Sequence, residues 1–341
     1  MTASKFGLVT DLHQPKAEES KERIVPEETS DPDLEALREQ HYNATIIERI
    51  DCHENLACFR IRPDTPAQSF LAGQYVTLGL GFWEKRLAGT QPEDLPETKR
   101  SKLAKRAYSI SCPMLDDDGG LLPVDQIDYL EFYITLVRQA TSPGQPVPIL
   151  TPRLFRLREG ARLSIGKKIV GKYTLGEIDP NDTVLMLSTG TGEAPHNAML
   201  ATLLSQGHRG KIVCACCVRY RGDLAYLTRH HYLMDQFSNY RYVPCTTRER
   251  FNVDPTAENY VGKQYLQKLF TSGALAEAAD DPLTPDRTHV FLCGNPAMIG
   301  YVPPGGEPFE SEGMIPLLER AGFRRDDGEA GPGRIRFEKY W

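Results

Sequence analysis

The sequence predicts a small antiparallel β-barrel over about residues 43–178, followed by a parallel α/β domain over 179–341. Two patterns carry this expectation. Up to about Ile178 the chain is a series of short strands with period-two alternation, separated by turn residues, as in a closed or nearly closed barrel. Beyond it, apolar strands alternate with helical stretches, and the first such strand runs into a glycine-rich turn, as in a parallel sheet with its ligand at the strand C-termini. A chain of 341 residues is long enough for two cores of ordinary size.

Residues 1–42 precede the barrel as an acidic arm with roughly twice as many acids as bases, prolines and almost no aromatics. One short helix is expected over Asp31–Gln40, capped by Asp31 or Asp33, in what otherwise reads as a mobile, solvated tail. The barrel strands follow at Ala44–Ile50, Leu56–Ile61, Tyr75–Leu80, Arg106–Ser111, Tyr129–Arg138, Arg162–Ile165 and Lys172–Leu175. Thr151-Pro152 suits a helix start, with Thr151 as N-cap and Pro152 in the first turn. In the second domain Thr183–Leu187, Lys211–Val218, Arg241–Pro244 and His289–Cys293 read as strands, and Ala194–Leu204 and Tyr226–Phe237 as helices.

Composition narrows the function classes. Hydrophobic residues make up 40% and charged residues 25%, within the globular range. No apolar run is long enough to cross a bilayer, and the polar first residues lack a secretory h-region, so a cytoplasmic protein is expected. A net charge of −6 argues against a nucleic-acid binder. The eight cysteines lack the regular spacing of a disulfide scaffold or an iron–sulfur site. Those at Cys214, Cys216 and Cys217 fall in an apolar run and read as buried thiols, and no metal is expected.

Two segments point to chemistry. In Arg106-Ala107-Tyr108-Ser109, alternate residues share a strand face, so a cation for phosphates and a flat ring for a flavin are presented together, with a hydroxyl at the strand end. Four residues alone do not separate this from an ordinary strand. Ser188-Thr189-Gly190-Thr191-Gly192 follows a buried strand and precedes a helix, where glycines admit a pyrophosphate and the helix N-terminus favours its charge. Its spacing is not Gly-x-Gly-x-x-Gly. Gly166–Leu175 adds a glycine–aromatic element, and Cys293-Gly294-Asn295-Pro296 a tight polar turn after a late strand.

In this order and spacing the four motifs resemble the ferredoxin/flavodoxin–NADP reductase family over about residues 43–341, and the terminal Phe337-Glu338-Lys339-Tyr340-Trp341 is similar to its bacterial branch. The resemblance implies an FAD-binding barrel and a Rossmann-like NADP domain. It implies Arg106 on the FAD pyrophosphate, Ala107 beside it, Tyr108 on the isoalloxazine and Ser109 near N5. Ile134, Thr135 and Leu136, with Ile149, Leu150 and Thr151, would line the ribityl and phosphates, and Thr191 would lie close to the flavin. Tyr340 would cover the other flavin face, and Trp341 the adenine. Cys293 and Gly294 would sit beside the nicotinamide, Cys293 positioning C4 rather than acting as a nucleophile. Gly190 and Gly192 would form the dinucleotide loop. Arg219 and Arg248 would grip the 2′-phosphate, with Lys263 where the family usually has Arg, a less directional contact.

The implied activity is hydride transfer between NADP(H) and FAD, coupled to one-electron exchange with ferredoxin or flavodoxin by a monomer. A basic zone for that acidic partner is expected from Lys99, Arg100, Lys102 and Lys105 together with Arg153, Arg156, Arg158, Lys167 and Lys168. Two alternatives stand beside it: an NAD(P)H-flavin reductase component of an oxygenase or reductase system, and a non-catalytic flavin- or nucleotide-sensing module. Two segments depart from the family pattern, the proline-rich connection Arg138–Val147 and an insertion over 300–313.

Overall fold

The computed structural model describes residues 32–66, 69–140, 145–302, 305–326 and 333–340. In chain order these form α1 (Pro32–His41), β1 (Ala44–His53), β2 (Leu56–Pro63), β3 (Tyr75–Gly81), β4 (Leu103–Ser109), β5 (Leu130–Thr135), α2 (Thr151–Leu154) and β6 (Arg162–Ile165). Then come β7 (Thr183–Thr189), α3 (Glu193–Ser205), β8 (Ile212–Val218), α4 (Leu227–Gln236), β9 (Tyr240–Thr246), α5 (Arg250–Val253), α6 (Leu266–Thr271) and α7 (Ala274–Ala279). The last elements are β10 (Thr288–Gly294), α8 (Pro296–Ile299), α9 (Met314–Arg320) and β11 (Ile335–Lys339).

The first six strands make one antiparallel sheet in the order β4-β3-β6-β1-β2-β5. Just past β4, the Ser111 amide donates to the Glu131 carbonyl of β5 at 2.8 Å, so the sheet curls almost shut. Ile46, Phe59, Ile61, Leu78, Leu80 and Phe132 fill its interior. The remaining strands form a parallel sheet, β11-β10-β7-β8-β9. Every residue of β8 is buried, including Cys214, Cys216 and Cys217, because helices cover both faces of the parallel sheet. Pro244 is tolerated in β9 because that strand is an edge.

Three local expectations change. Lys172–Leu175 is not a strand. Gly171 turns the chain at φ +132, and Tyr173 leaves the sheet to bury its ring against α3, its hydroxyl 2.7 Å from His196 Nε2. Thr151 does not cap α2: Leu150 holds that position, and the Thr151 hydroxyl accepts from the Val137 amide at 3.1 Å. The tail Ile335–Lys339 forms the edge strand β11, which its alternating charges concealed. The part of the arm that is described is held down: Arg38 bridges Glu84 at 2.9 Å, and the Tyr42 hydroxyl donates to the same carboxylate at 2.8 Å. Residues 1–31 lie outside the described residues.

The insertion leaves the fold and returns at one point. Gly300 follows α8 at φ +79, and a Cβ on Gly313 would lie 2.2 Å from the Gly300 Cα. Only two glycines pack backbone to backbone this closely. Excising residues 301–312, so that Gly300 joins Gly313, is therefore expected to leave the protein folded, with Tm lowered by roughly 2–4 °C for each kcal/mol lost with Tyr301, whose ring packs 5.0 Å from Phe337. Thermal unfolding monitored by far-UV circular dichroism checks this.

The two sheets meet across a continuous apolar core that takes Leu56, Cys58, Met114 and Tyr133 from the barrel side and Met186, Leu200 and Tyr226 from the other. Tyr226 is fully buried at this seam. Its hydroxyl donates to Glu131 Oε1 at 2.8 Å and lies 3.1 Å from Ser111 Oγ. Nearby, the Tyr133 hydroxyl donates to the Asp223 carbonyl at 2.5 Å, and His53 Nε2 is 3.0 Å from Asp223 Oδ1. This tight seam fixes the cavity between the sheets.

Candidate active site

A cavity of about 1610 Å³ opens where the barrel faces the C-terminal ends of the parallel strands. From the barrel it is lined by Arg106, Ala107, Tyr108 and Ser109 on β4, by Ile134 and Thr135 on β5, and by Ile149, Leu150 and Thr151. From the α/β half come Thr189, Gly190 and Thr191, Arg219, Asn295 and the tail residues Glu338, Lys339 and Tyr340. The proline-rich connection, represented by Pro146, Val147 and Pro148, walls one side.

The glycines explain how two loops share this space. Gly190 takes φ +53, and a Cβ there would touch nothing within 4 Å, so the loop backbone is open to the cavity. Gly192 is the opposite case: its Cβ would lie 2.4 Å from the Cys293 carbonyl oxygen. Gly294, at φ +121, would place a Cβ 2.3 Å from Thr189 Oγ1. That hydroxyl instead accepts from the Asn295 amide at 2.8 Å, tying the turn after β10 to the loop after β7. The strands behind them pair directly, with Cys293 beside Ser188.

Three residues far apart in sequence converge here. The Tyr340 amide donates to the Gly294 carbonyl at 3.0 Å, and the Tyr340 side chain lies close to both Ser109 and Cys293. Burial pushes the Cys293 thiol well above its ordinary range, which keeps it protonated and suits a positioning group, not a nucleophile. The phenols of Tyr108 and Tyr340 are raised by burial as well.

Other expected residues fall in mixed places. Arg106 is exposed on the cavity wall, its Nη1 donating to the Lys105 carbonyl. Leu136 turns into the barrel core and is fully packed there. Gly192, Cys293 and Gly294 are buried behind the loops that they shape. Arg219 reaches the cavity, with Nε 3.6 Å from Asp223 Oδ2. The exposed Arg248 is adjacent, its amide donating to the Arg219 carbonyl at 2.9 Å, whereas Lys263 is exposed and away from the cavity lining. Trp341 lies outside the described residues. Arg153 does not belong to a basic surface: it is buried, with Nη2 2.6 Å from Glu93 Oε2 and Nη1 2.6 Å from the Ile149 carbonyl. Lys99, Arg100, Lys102, Lys105, Arg156, Arg158, Lys167 and Lys168 are exposed. Among the described residues no helix is long and apolar enough to cross a membrane.

The same arrangement of sheets is found in a solved ferredoxin NADP+ reductase from Neisseria gonorrhoeae with bound FAD and NADP, at a TM-score of 0.64 and 19% identity, covering 88% of this chain and 99% of that one. Residues 186–303 match the oxidoreductase NAD-binding domain. A flavodoxin/ferredoxin–NADP reductase from Buchnera aphidicola (subsp. Baizongia pistaciae, strain Bp) is 26% identical over 83% of this chain and 92% of its own. A ferredoxin–NADP reductase from Pseudomonas aeruginosa is 28% identical over 69% of this chain and 77% of its own. The chain is thus similar over most of its length to ferredoxin/flavodoxin–NADP reductases.

Two cavity residues escaped the sequence reading. Tyr265 stands on the rim as a 47% exposed aromatic, available to stack on a planar base. Its signal was an aromatic two residues beyond Lys263 in a polar stretch. Glu338 alternates with Tyr340 along the tail, pairs with Cys293 in the β10–β11 ladder and lines the cavity. Burial holds its carboxyl up at about 6. The carboxyl is therefore still protonated at pH values where an ordinary glutamate has ionised. A raised carboxyl stabilises the fold below its ordinary value of 4.5, and that contribution is lost as pH rises through about 6. Glu338→Gln, which cannot ionise, is expected to gain Tm relative to wild type as pH climbs through that window. Paired melting curves from pH 4.5 to 7.5 test it (roughly the interval spanning both values), and parallel curves would assign the carboxyl an ordinary titration.

Proposed function

We propose that this protein is an FAD-dependent, NADP(H)-using oxidoreductase that exchanges electrons singly with ferredoxin or flavodoxin. The observation that carries the reading is the meeting of Ser109 and Tyr340, with Cys293 buried just behind them, at the wall of one cavity built by both halves. A volume of about 1610 Å³ exceeds the roughly 300–1,000 Å³ of a single-ligand pocket, which suits two dinucleotides lying together. Arg106, the Ile149–Thr151 turn and the open Gly190 loop supply a cation and backbone suited to phosphates, so the residues fit FAD and NADP(H). The domains are then 43–178 for the flavin and 179–341 for the dinucleotide, behind the 1–42 arm.

Bound FAD would supply a hydride acceptor that releases electrons one at a time. The chain's own contribution is orientation. Tyr108 offers one ring face, and Ser109 and Cys293 define where a nicotinamide edge must sit for transfer. Tyr340 occupies the space between those two side chains, so it must swing aside when nicotinamide enters. The neutral Cys293 thiol adds no charge there. Arg219 and Arg248 lie together for a 2′-phosphate. The exposed lysines and arginines from Lys99 to Lys105, with Lys167 and Lys168, form a landing zone for an acidic carrier. Eight unpaired cysteines suit a reducing, cytoplasmic setting, and a monomer is the simplest unit, since the cavity is complete within one chain.

Anaerobic titration with NADPH and with NADH, followed by carrier-dependent cytochrome c reduction, tests the proposal. NADPH should bleach the yellow protein at lower concentration than NADH, and ferredoxin or flavodoxin should raise cytochrome c reduction in a salt-sensitive manner. A yellow protein that NADPH fails to bleach would instead be a sensing module. A preference for NADH would point to an oxygenase component.

A further inference from the structure

All eight cysteines are free, and seven of them are buried; Cys52 is the half-buried exception. It sits at a register shift in β1, between Asp51, which pairs with Ala57, and His53, which pairs with Leu56. Cys58 on β2 pairs with Ile50, so Cys52 and Cys58 are diagonal neighbours on the hairpin, both packed against the core that joins the two sheets. Diagonal pairs are usually a little too far apart for short side chains to touch. Here the two thiols are close enough to perturb each other's titration, and both face the same apolar core.

The surroundings make the two sulfurs unequal. Cys58 is buried, and its thiol donates to the Tyr226 hydroxyl at 3.4 Å. Cys52 is reachable from solvent and feels the charge of Arg229, whose guanidinium lies 5.9 Å from the Tyr226 ring centroid. The neighbouring Cys58 sulfur holds the Cys52 thiol below its ordinary range against the opposing effect of burial, and Arg229 adds to that, whereas Cys58 is pushed up. A more acidic, accessible thiol beside a buried, protonated one is the arrangement of an attacking and a resolving cysteine.

We propose that Cys52 and Cys58 are a peroxide-sensitive thiol pair that closes reversibly to a disulfide at the seam between the barrel and the α/β half. The Cys52 thiolate attacks one oxygen of hydrogen peroxide. An S–O bond forms, the O–O bond breaks, and hydroxide leaves and is protonated to water, giving a sulfenic acid. Cys58 then attacks that sulfur, its proton leaves with the departing hydroxyl as a second water, and the S–S bond forms. Two thiols and one peroxide thus yield one disulfide and two waters. A small dithiol reverses the step by exchange, becoming oxidised itself. The register shift at Cys52 gives the hairpin the local freedom that closure requires. Closure removes the S–H that Cys58 donates to Tyr226, the residue whose hydroxyl also meets Glu131 and Ser111 across the seam.

The test uses the full-length flavin-loaded protein, treated with a small excess of hydrogen peroxide, blocked with N-ethylmaleimide and mapped by peptide mass spectrometry. The expected result is a loss of two hydrogens confined to a Cys52–Cys58 cross-link, restored by dithiothreitol. Cys52→Ser should abolish the cross-link. In Cys58→Ser the sulfenic acid on Cys52 should persist and be trapped by dimedone, with circular dichroism confirming that each variant is folded. Arg229→Gln, which touches neither thiol, should slow cross-linking. Oxidation spread evenly over the cysteines, or a cross-link that forms equally fast in denatured protein, overturns the proposal. So does a folded wild type in which Cys52 stays a free thiol.

Discussion

Gly192→Ala is expected to lower kcat/KM for NADPH oxidation about a hundredfold while the protein keeps its flavin. The added Cβ would lie 2.4 Å from the Cys293 oxygen, 2.7 Å from its carbonyl carbon and 2.9 Å from the Gly294 Cα. All three are backbone atoms, held by the β10–β7 ladder and by the Asn295–Thr189 hydrogen bond, so no side chain can yield. Ordinary contact begins near 3.4 Å, and the two loops must therefore part by about an ångström. That displacement carries Cys293 away from Ser109, which sits on β4, and from Tyr340, which follows β11. Misplacement on this scale typically costs about a hundredfold in rate. Arg106, Tyr108 and Thr151, proposed above to hold the flavin, belong to the barrel half and are not moved, so the absorbance of bound flavin should persist. Gly190→Ala is the control: its Cβ meets nothing, and only the left-handed backbone is strained, at about 1 kcal/mol. Stopped-flow reduction of both variants by NADPH separates the cases. Equal rates in the two would show that loop contact does not position the reacting groups.

Both halves of the fold were legible because each writes its period plainly. The barrel strands alternate, as Ala44 and Ile46 do against their half-exposed neighbours, and β8 is apolar throughout. The elements that escaped were those whose structure is imposed from elsewhere. β11 is too short and too charged to signal a strand, and it exists because β10 offers an open edge. Tyr173 was expected in a strand, but its bulk was needed between the sheets. Arg153 looked like surface charge in a run of arginines, and only the fold reveals Glu93 waiting for it, from 60 residues earlier. Within the site, the motifs were local and readable, whereas Glu338 was not: a glutamate in a polar tail carries no mark of the burial that raises it. Thr151 shows the limit of local rules, since its hydroxyl was recruited by Val137 rather than by its own helix.

Arg219→Ala is expected to weaken NADPH binding about ten- to a hundredfold while leaving NADH nearly unchanged, because a charge-assisted bond to a phosphate is worth roughly 1.5–3 kcal/mol. The side chain is 52% exposed at the cavity edge and loosely tethered 3.6 Å from Asp223. That carboxylate also accepts from the Tyr220 amide at 3.1 Å and lies 3.0 Å from His53 Nε2, so it is well satisfied without Arg219 and leaves the guanidinium available for a dianion. Arg248 should behave similarly, since its backbone is hydrogen-bonded to that of Arg219. Lys263→Ala should have a smaller effect, because Lys263 stands outside the cavity lining and presents a point charge without Arg's bidentate fork. The informative measurement is the ratio of kcat/KM for NADPH to that for NADH in each variant. If Arg219→Ala slows both coenzymes alike, the arginine acts on the shared part of the dinucleotide and the 2′-phosphate is held elsewhere. If Lys263→Ala alone collapses the ratio, the loop carrying it must close over the coenzyme, and the phosphate site lies between that loop and β9.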